Sequence, residues 1–423
     1  MTSVEFLTIF KDNILIAILS IIVSIIPFIY LLKNRVKSIT DPLLLTIIFT
    51  IFANSVPILL YLTNNISNHI FSYFIISELI FWLTFYFYSP PPHTQLSPIF
   101  KQKINEKPLF YFCFTIYIIA NLYYFKTNGL PIFNENRFEK TINDSTAILG
   151  FLLRLKSITS LFVHIYIIHL FKEKQFKTAI ICFFICILIS FMHGGKSFIL
   201  GFVKAFFFYY LFYIYKTPKI KYYAILIIAI TPVITILVSN KTDGYVSAII
   251  GYVYRLIASG DVYWNAYGNN IINTITIDNP LVNMTYFLWG PFRHILPISY
   301  DNDTMTTAGS IAFELASGFF PSGGAPNSRL SFLSYVYYKW NGLLLCFLLG
   351  WLSAKIYNKC LSKPTYSIGK TTIKGMLYTS IFLIPTDPYL FFNSIYSIIF
   401  FKILYSLYCS MLKPKSQCVK YQL

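Results

Sequence analysis

Apolar stretches long enough to cross a membrane recur along the whole chain, separated by short polar connections. A transmembrane helix needs about 20 apolar residues to cross roughly 30 Å of hydrocarbon. Runs near this length occur at about 14 to 32, 43 to 62, 70 to 88, 109 to 125, 147 to 171, 178 to 192, 198 to 215, 222 to 239, 333 to 354, 372 to 386 and 389 to 412. This pattern predicts an all-α polytopic membrane protein with about 11 transmembrane helices.

The composition excludes an ordinary soluble or disordered protein. Of the 423 residues, 56% are hydrophobic and only 12% are charged, whereas a soluble domain has roughly 25% charged residues. The net charge of +18 would suggest nucleic-acid binding in a soluble chain. Here the basic residues form short clusters between apolar runs, which is typical of the inner loops of a membrane protein. We therefore predict no nucleic-acid partner.

Lysine and arginine are concentrated in alternate connections, those that follow the first, third, fifth, seventh and ninth apolar runs. By the positive-inside rule these connections lie in the cytoplasm, so the N-terminus lies outside and the C-terminus inside. The first run lacks a basic leader and a small-residue cleavage site, so we expect it to be retained as a span. The clusters are Lys33, Arg35, Lys37; Lys101, Lys103, Lys107; Lys172, Lys174, Lys177; Lys216, Lys219, Lys221; and Lys355, Lys359, Lys363.

Two outer segments are longer than a connection requires, about 126 to 146 and about 240 to 332. Long ordered loops in a compact protein are usually functional. The larger one contains apolar and aromatic residues at helical spacing, which predicts interfacial or re-entrant helices. No second soluble domain is evident, so residues 1 to 423 are predicted to form a single integral membrane domain.

Candidate anion-binding residues lie in these outer segments. Arginine suits bidentate binding of phosphate or carboxylate, and four arginines fall outside in the predicted topology: Arg137, Arg255, Arg293 and Arg329. For each one the alternative is a lipid headgroup contact or a structural ion pair. The turn Gly194, Gly195 and Lys196 opens a helix and is a further candidate anion site, with an ordinary tight turn as the alternative.

Other residue types give weaker indications of a functional site. Arg154 lies within an apolar run, where a charge is either functional or paired. Tyr254 and Trp264 are suited to stacking on sugar rings, although such aromatic residues also form membrane interface belts. The six histidines and seven cysteines show no metal-ligand spacing, so no metal and no cofactor is predicted.

Three short motifs and one spacing carry a resemblance to a known family. They are GLPIF from Gly129 to Phe133, RLIASGD from Arg255 to Asp261, GGKS from Gly194 to Ser197, and Arg293 followed at a distance by Gly309. Together with the plan of ten to twelve spans and one dominant outer loop, the chain resembles the Wzy-type O-antigen polymerases, which join oligosaccharide repeat units of bacterial surface polysaccharides.

The resemblance implies a metal-independent glycosyltransferase of GT-C-like architecture in the bacterial inner membrane, acting at the periplasmic face. Donor and acceptor would both be undecaprenyl-pyrophosphate-linked oligosaccharides. Membrane lipids, a chain-length regulator and a flippase are the other implied partners. The leaving pyrophosphate needs charge stabilisation and the acceptor hydroxyl needs a base.

For these roles we assign Arg255 and Arg293 first, then Lys196, Arg137 and Arg329, as stabilising groups. Asp261 is preferred as the base over Glu314 and His294. The sequence leaves two alternatives open, namely a lipid-linked oligosaccharide flippase or transporter, and an O-antigen ligase that uses the same donor.

Overall fold

The computed structural model describes residues 1–89, 104–130, 147–193, 198–218, 253–289, 306–321 and 326–412. Within these ranges the regular structure is entirely helical. The α-helices, numbered here in chain order, are α1 (Ser3–Asp12), α2 (Ile14–Leu32), α3 (Pro42–Leu62), α4 (Asn68–Tyr88), α5 (Lys107–Asn128), α6 (Ala147–Lys172), α7 (Phe176–Met192), α8 (Phe198–Phe208), α9 (Asp261–Tyr267), α10 (Pro280–Trp289), α11 (Ala308–Ser317), α12 (Leu330–Tyr338), α13 (Gly342–Leu361), α14 (Ile368–Ile381) and α15 (Pro388–Leu412).

Residues at the helix ends explain where several of these helices begin and stop. At the start of α3, the Asp41 side chain accepts from the Leu43 N–H at 3.0 Å, and Pro42 occupies the first helical position. Proline there sacrifices no internal hydrogen bond, and the aspartate satisfies a free donor. Helix α5 stops before Gly129, whose φ of +73° is one that residues with a Cβ rarely adopt.

The described residues include seven stretches that are long and apolar enough to cross a membrane. They confirm a polytopic membrane protein, and five of them match the first five predicted runs. The runs predicted at 178 to 192 and 198 to 215 correspond to shorter apolar helices, Phe176–Met192 and Leu200–Ile214. The run at 372 to 386 corresponds to the 14-residue helix α14. The run at 222 to 239 lies outside the described residues.

The run predicted as one span at 333 to 354 is instead two helices that fold back on each other. The Cys346 thiol lies 3.3 Å from the Ser334 hydroxyl, although twelve residues of continuous helix would separate them by about 18 Å. The reversal occurs at Lys339, where φ is +51°, just before Gly342. Helix α12 is therefore a half-length helix that packs against the full-length α13.

The helices enclose two hydrophobic cores. One joins α5, α6, α7, α8 and α14, with Phe162, Phe207 and Tyr378 fully buried. The other joins α1, α3, α4, α9 and α12, with Phe6, Tyr263 and Tyr267 fully buried. Residues 253–273 were predicted to belong to the large outer loop, whereas the structure buries seven of them in this second core and packs four more against it.

Candidate functional site

Arg329 stands at the start of α12 and is held there by contacts on several sides. The Ser328 hydroxyl accepts from the Gly309 N–H at 2.9 Å, and the Leu330 N–H reaches the Pro385 carbonyl at 3.4 Å. A Cβ on Gly309 would lie 2.2 Å from the Pro326 carbonyl oxygen. Helix α11 therefore crosses residues 326–328 at a distance that only glycine allows, which fixes the backbone from which the Arg329 side chain projects.

The guanidinium of Arg329 is buried but not saturated with partners. The residue is only 1% exposed. In the described part of the chain, its Nε and Nη2 atoms have no hydrogen-bond partner. A buried donor without a partner costs free energy, and the cost is larger for a charged group. An unsatisfied buried arginine is therefore a candidate for binding an anion.

A cavity of about 280 Å³ adjoins this guanidinium. Lys204 of α8 supplies a second cationic side chain to its wall. Polar groups from Thr46, Ser259 and Thr379 also line it. The remaining wall residues are Pro42, Leu45, Phe49, Asn327, Phe382, Leu383 and Thr386. No carboxylate is among these wall residues. The hydroxyl groups of Thr46, Ser259 and Thr379 donate to backbone carbonyls, so the cavity offers a bound anion two cationic side chains and the Asn327 amide.

The position of the cavity along α3 defines its depth in the helix bundle. Its wall includes Pro42, Leu45 and Phe49, which lie in the half of α3 that begins the helix. The Ser259 hydroxyl donates to the Phe49 carbonyl at 3.0 Å. Because each helical residue advances about 1.5 Å, this half extends for roughly 10 Å from Pro42 to Phe49. The cavity therefore lies beside the half of α3 that begins at Pro42.

Asp261 lies close to this site because Gly260 packs directly onto α3. A Cβ on Gly260 would lie 2.7 Å from the Ala53 carbonyl oxygen, near the middle of that helix. Ser259 contacts Phe49 and Gly260 contacts Ala53, so the segment advances along α3 toward Leu62. Asp261 follows as the first residue of α9, and its carboxylate accepts from the Val262 N–H at 2.9 Å.

The Asp261 carboxyl is poised between its two protonation states. Burial raises its pKa to about 7, while the Val262 N–H and the charge of Arg329 act in the opposite direction. Tyr263, two residues on, is also within the influence of Arg329, and its hydroxyl lies 2.7 Å from the Ser331 hydroxyl. A carboxyl with a pKa near neutrality, within the electrostatic influence of an arginine, is suited to proton transfer next to a bound anion.

Asp387 is a second carboxyl within the electrostatic reach of Arg329. Burial raises its pKa to about 7, and backbone N–H groups and Arg329 oppose that rise. Its carboxylate accepts from the Tyr389 N–H at 3.1 Å, and Pro388 starts α15 immediately after it. This is the geometry of a helix N-cap. We therefore assign Asp387 a structural role.

The other predicted site residues that the structure describes do not line this cavity. Arg255 and Glu314 have exposed side chains. Arg154 donates from Nη1 to Asn393 Oδ1 at 3.1 Å and lies 5.3 Å from the centre of the Tyr396 ring, which joins α6 to α15. Six predicted residues lie outside the described ranges: Arg137, Gly194, Gly195, Lys196, Arg293 and His294.

The two aromatic candidates lie in or against the second core. Trp264 is 2% exposed and stacks on Phe6 with ring centres 4.3 Å apart. Tyr254 is half-buried, and its ring centre lies 6.0 Å from that of Trp264. Because Phe6 covers the face of the Trp264 ring, we assign Trp264 a packing role rather than sugar stacking.

Sequence reasoning missed Lys204 and the hydroxyl groups of the cavity wall. Lys204 interrupts the apolar segment FILGFVKAFFF, and an ionisable residue inside such a segment is a functional candidate by default. That signal was available. The serine and threonine residues gave none, because these side chains are common in membrane helices, where they bond to their own backbone.

No group of three or more histidine, cysteine, aspartate or glutamate side chains that could hold a metal ion occurs in the described residues. Comparison of the chain with protein families, curated proteins and solved structures finds no match. The functional argument therefore depends on the chemistry of the cavity and on the resemblance of the short motifs.

Proposed function

We propose that the protein is a repeat-unit polymerase that transfers a growing glycan from undecaprenyl pyrophosphate to the next lipid-linked oligosaccharide. In this proposal the protein has about 11 spans in a GT-C-like arrangement in the bacterial inner membrane. The N-terminus and the acceptor side face the periplasm. The observation that carries the proposal is the buried, unsaturated guanidinium of Arg329 beside a cavity, with Asp261 nearby.

In the proposed reaction Arg329 and Lys204 stabilise the leaving group, and Asp261 accepts a proton. The bond between the anomeric carbon of the donor and its pyrophosphate oxygen breaks, and the pyrophosphate leaves with the bonding electrons. Arg329 and Lys204 stabilise that charge with preorganised donors. The acceptor hydroxyl attacks the anomeric carbon, and its proton passes to the Asp261 carboxylate. The lipid pyrophosphate and one longer glycan are the products.

The positions of the cavity and of Asp261 along α3 set the path that the donor must take. The cavity lies beside the half of α3 that begins at Pro42, whereas Asp261 lies toward the half that ends at Leu62. In the predicted topology the Pro42 end faces the cytoplasm, so the donor pyrophosphate must enter from the periplasmic side, past Asp261, to reach the cavity.

The test is elongation by the purified protein in liposomes, using a lipid-pyrophosphate-linked repeat unit and gel analysis of product length. We expect a ladder of lengths from the wild type and no ladder from Arg329→Ala or Asp261→Asn at matched protein levels. Ladders of normal length from both variants would exclude the proposed roles of the two residues.

Transport of a lipid-linked anionic oligosaccharide is the second candidate, and one observation favours it. Helix α12 is half-length, and it begins immediately after Arg329, which lines the cavity. Transporters commonly bind anionic substrates where a discontinuous helix begins inside the membrane. In the predicted topology the Pro42 end of α3 faces the cytoplasm, which is the side where a flippase substrate starts.

One liposome preparation separates these functions. Elongation without net translocation supports the polymerase, and translocation without elongation supports the transporter. Addition of the glycan to a lipid A core acceptor, in place of a second repeat unit, would instead identify an O-antigen ligase.

A further inference from the structure

A second polar cluster lies between α5, α6 and α7, away from the Arg329 cavity. It contains Lys156 of α6, His193 at the end of α7, and Asn121 of α5. The Lys156 amine lies 3.0 Å from His193 Nε2, and the same nitrogen lies 2.7 Å from Asn121 Oδ1. The described contacts of Lys156 include this imidazole and no carboxylate.

These contacts cannot all be satisfied at once. Burial and the charge of Lys156 lower the pKa of His193 to about 4, so the imidazole is neutral at physiological pH. A protonated Nε2 donates to Asn121 Oδ1 and leaves the ammonium of Lys156 without an acceptor. An unprotonated Nε2 accepts from Lys156 but then faces the Asn121 oxygen, whose orientation is set because Asn121 Nδ2 donates to the Tyr117 carbonyl.

A separate observation on the same face of α5 points to a missing ligand. Asn128 is only 4% exposed, and both its Oδ1 and its Nδ2 lack hydrogen-bond partners in the described structure. It follows Asn121 by seven residues, which places it on the same helix face about 10 Å farther along. Tyr124 and Phe125, between the two asparagines, pack against the His193 ring at 4.9 and 4.7 Å.

Each of the three helices carries an exposed apolar side chain within five residues of its member of the cluster. Leu122 of α5 is 58% exposed, Phe151 of α6 is 61% exposed and Phe191 of α7 is 66% exposed. A molecule that reaches Lys156 from the bilayer would leave its acyl chains on these surfaces. Among the described residues, this region therefore combines a lysine that contacts no carboxylate, a buried amide without a hydrogen-bond partner and exposed apolar side chains nearby.

We propose that this cluster binds an anionic phospholipid whose headgroup carries hydroxyl groups. The phosphate takes the Lys156 ammonium, so that His193 Nε2–H can donate to Asn121 without competition. The headgroup hydroxyl groups satisfy the free donor and acceptor of Asn128. The site is independent of the Arg329 cavity and does not require the polymerase function.

The experiment is native mass spectrometry of the full-length protein in detergent, titrated with short-chain phosphatidylglycerol. Lys156→Gln should weaken phosphatidylglycerol binding by about tenfold because it loses a charge-assisted hydrogen bond. Asn128→Leu should weaken it by about tenfold because it loses a buried hydrogen bond. Lys126→Gln is the matched control, because this exposed lysine lies at the same end of α5 outside the cluster. It should bind as the wild type does.

Competing ligands distinguish the source of the phosphate. Phosphatidylcholine has no net charge and no headgroup hydroxyl, so it should not displace phosphatidylglycerol. Displacement by glycerol phosphate or inorganic phosphate at matched concentration would show that a free anion is the ligand, which overturns the lipid proposal. Wild-type affinity in both cluster variants, or equal loss in Lys126→Gln, would also overturn it. Lys156→Arg should retain most of the binding, which separates lost charge from misfolding.

Discussion

The surroundings of two buried arginines, Arg35 and Arg329, differ in what the protein provides for them. Arg35 is 5% exposed, donates from Nη2 to the Tyr86 carbonyl at 3.0 Å, and lies 4.9 Å from the centre of the Tyr86 ring. Within the part of the chain that the structure describes, one buried guanidinium nitrogen of Arg35, Nε, lacks a partner, whereas Arg329 lacks partners at both Nε and Nη2 and borders a cavity. Burial of a cation does not by itself identify a site. Unused donors facing an open space are the stronger indication.

Replacing each arginine by alanine should give the largest difference in activity between the two sites. Arg329→Ala should lower glycan elongation by roughly a hundredfold or more, since loss of a preorganised charge-stabilising donor typically costs that much. Arg35→Ala should leave elongation per folded molecule within about threefold, because this residue stabilises a loop and lies outside the cavity. The measurement is initial rate in liposomes, normalised to monodisperse protein.

A lysine at position 329 sharpens the result. Lysine retains the charge but loses the planar fork of donors, so it should restore only a minor part of the lost rate if geometry matters. Equal rates in wild type, Arg329→Ala and Arg35→Ala would show that the two arginines do not differ in function.

The pH dependence of elongation should report Asp261. Because burial raises the pKa of this carboxyl to about 7, the base form disappears below that value. The rate should then fall about tenfold for each pH unit well below 7. The raised pKa of Asp261 affects folding stability in the opposite direction. Its contribution to the free energy of unfolding is fully present below the unfolded pKa, where the carboxyl is protonated in both states. That contribution is lost as the pH rises through about 7.

Asp387 provides the control for this assignment, because its pKa is also raised to about 7. An Asp387→Asn variant should keep the acidic fall in rate, since this residue caps α15. The opposite result would identify Asp387 as the base. In that case Asp387→Asn would lose the pH dependence of elongation, and an active variant at Asp261 would keep it.

Lys204 should have a smaller effect than Arg329. It adds a point charge to the cavity wall and no bidentate geometry. Lys204→Met should therefore weaken binding of the lipid pyrophosphate by about tenfold, measured by titration in detergent. A loss as large as that of Arg329→Ala would mean that the two cations act as one unit. No loss would place Lys204 outside the site.

The smallest effect is expected from the conservative change Arg35→Lys. The shorter ammonium side chain can keep one bond to the Tyr86 carbonyl but loses the planar contact with the ring, so we expect a loss of about 1 kcal/mol in stability. Thermal unfolding followed by intrinsic fluorescence measures it. A larger loss of activity than of stability would make Arg35 functional and remove the contrast with Arg329.

The helical membrane fold was predictable because apolar length directly reflects bilayer thickness, and six of the predicted runs, the first five and the one at 389 to 412, match long apolar helices. The hairpin of α12 and α13 was not. Its two helices form one apolar stretch, and the reversal depends on backbone conformation at Lys339. The burial of 253–273 was also missed, because the mixed apolar and polar pattern of that segment is the same at a membrane interface as against α3.

The candidate site was only partly predictable for a related reason. Asp261 and Arg329 were both predicted, but nothing in the sequence indicated that Arg329, rather than Arg255, would come within electrostatic reach of Asp261. That choice depends on close contacts of Gly260 with Ala53 and of Gly309 with Pro326. These contacts join residues that are far apart in the chain. No periodicity or spacing in a single sequence indicates which distant residues will meet.

The most direct test of the central claim is the affinity of the detergent-purified protein for undecaprenyl pyrophosphate, compared among wild type, Arg329→Ala and Arg35→Ala. If the open donors of Arg329 hold the pyrophosphate, the first variant should bind at least about tenfold more weakly, and the second should bind as the wild type does. Equal affinity in all three proteins would contradict the assignment of the Arg329 cavity as the pyrophosphate site.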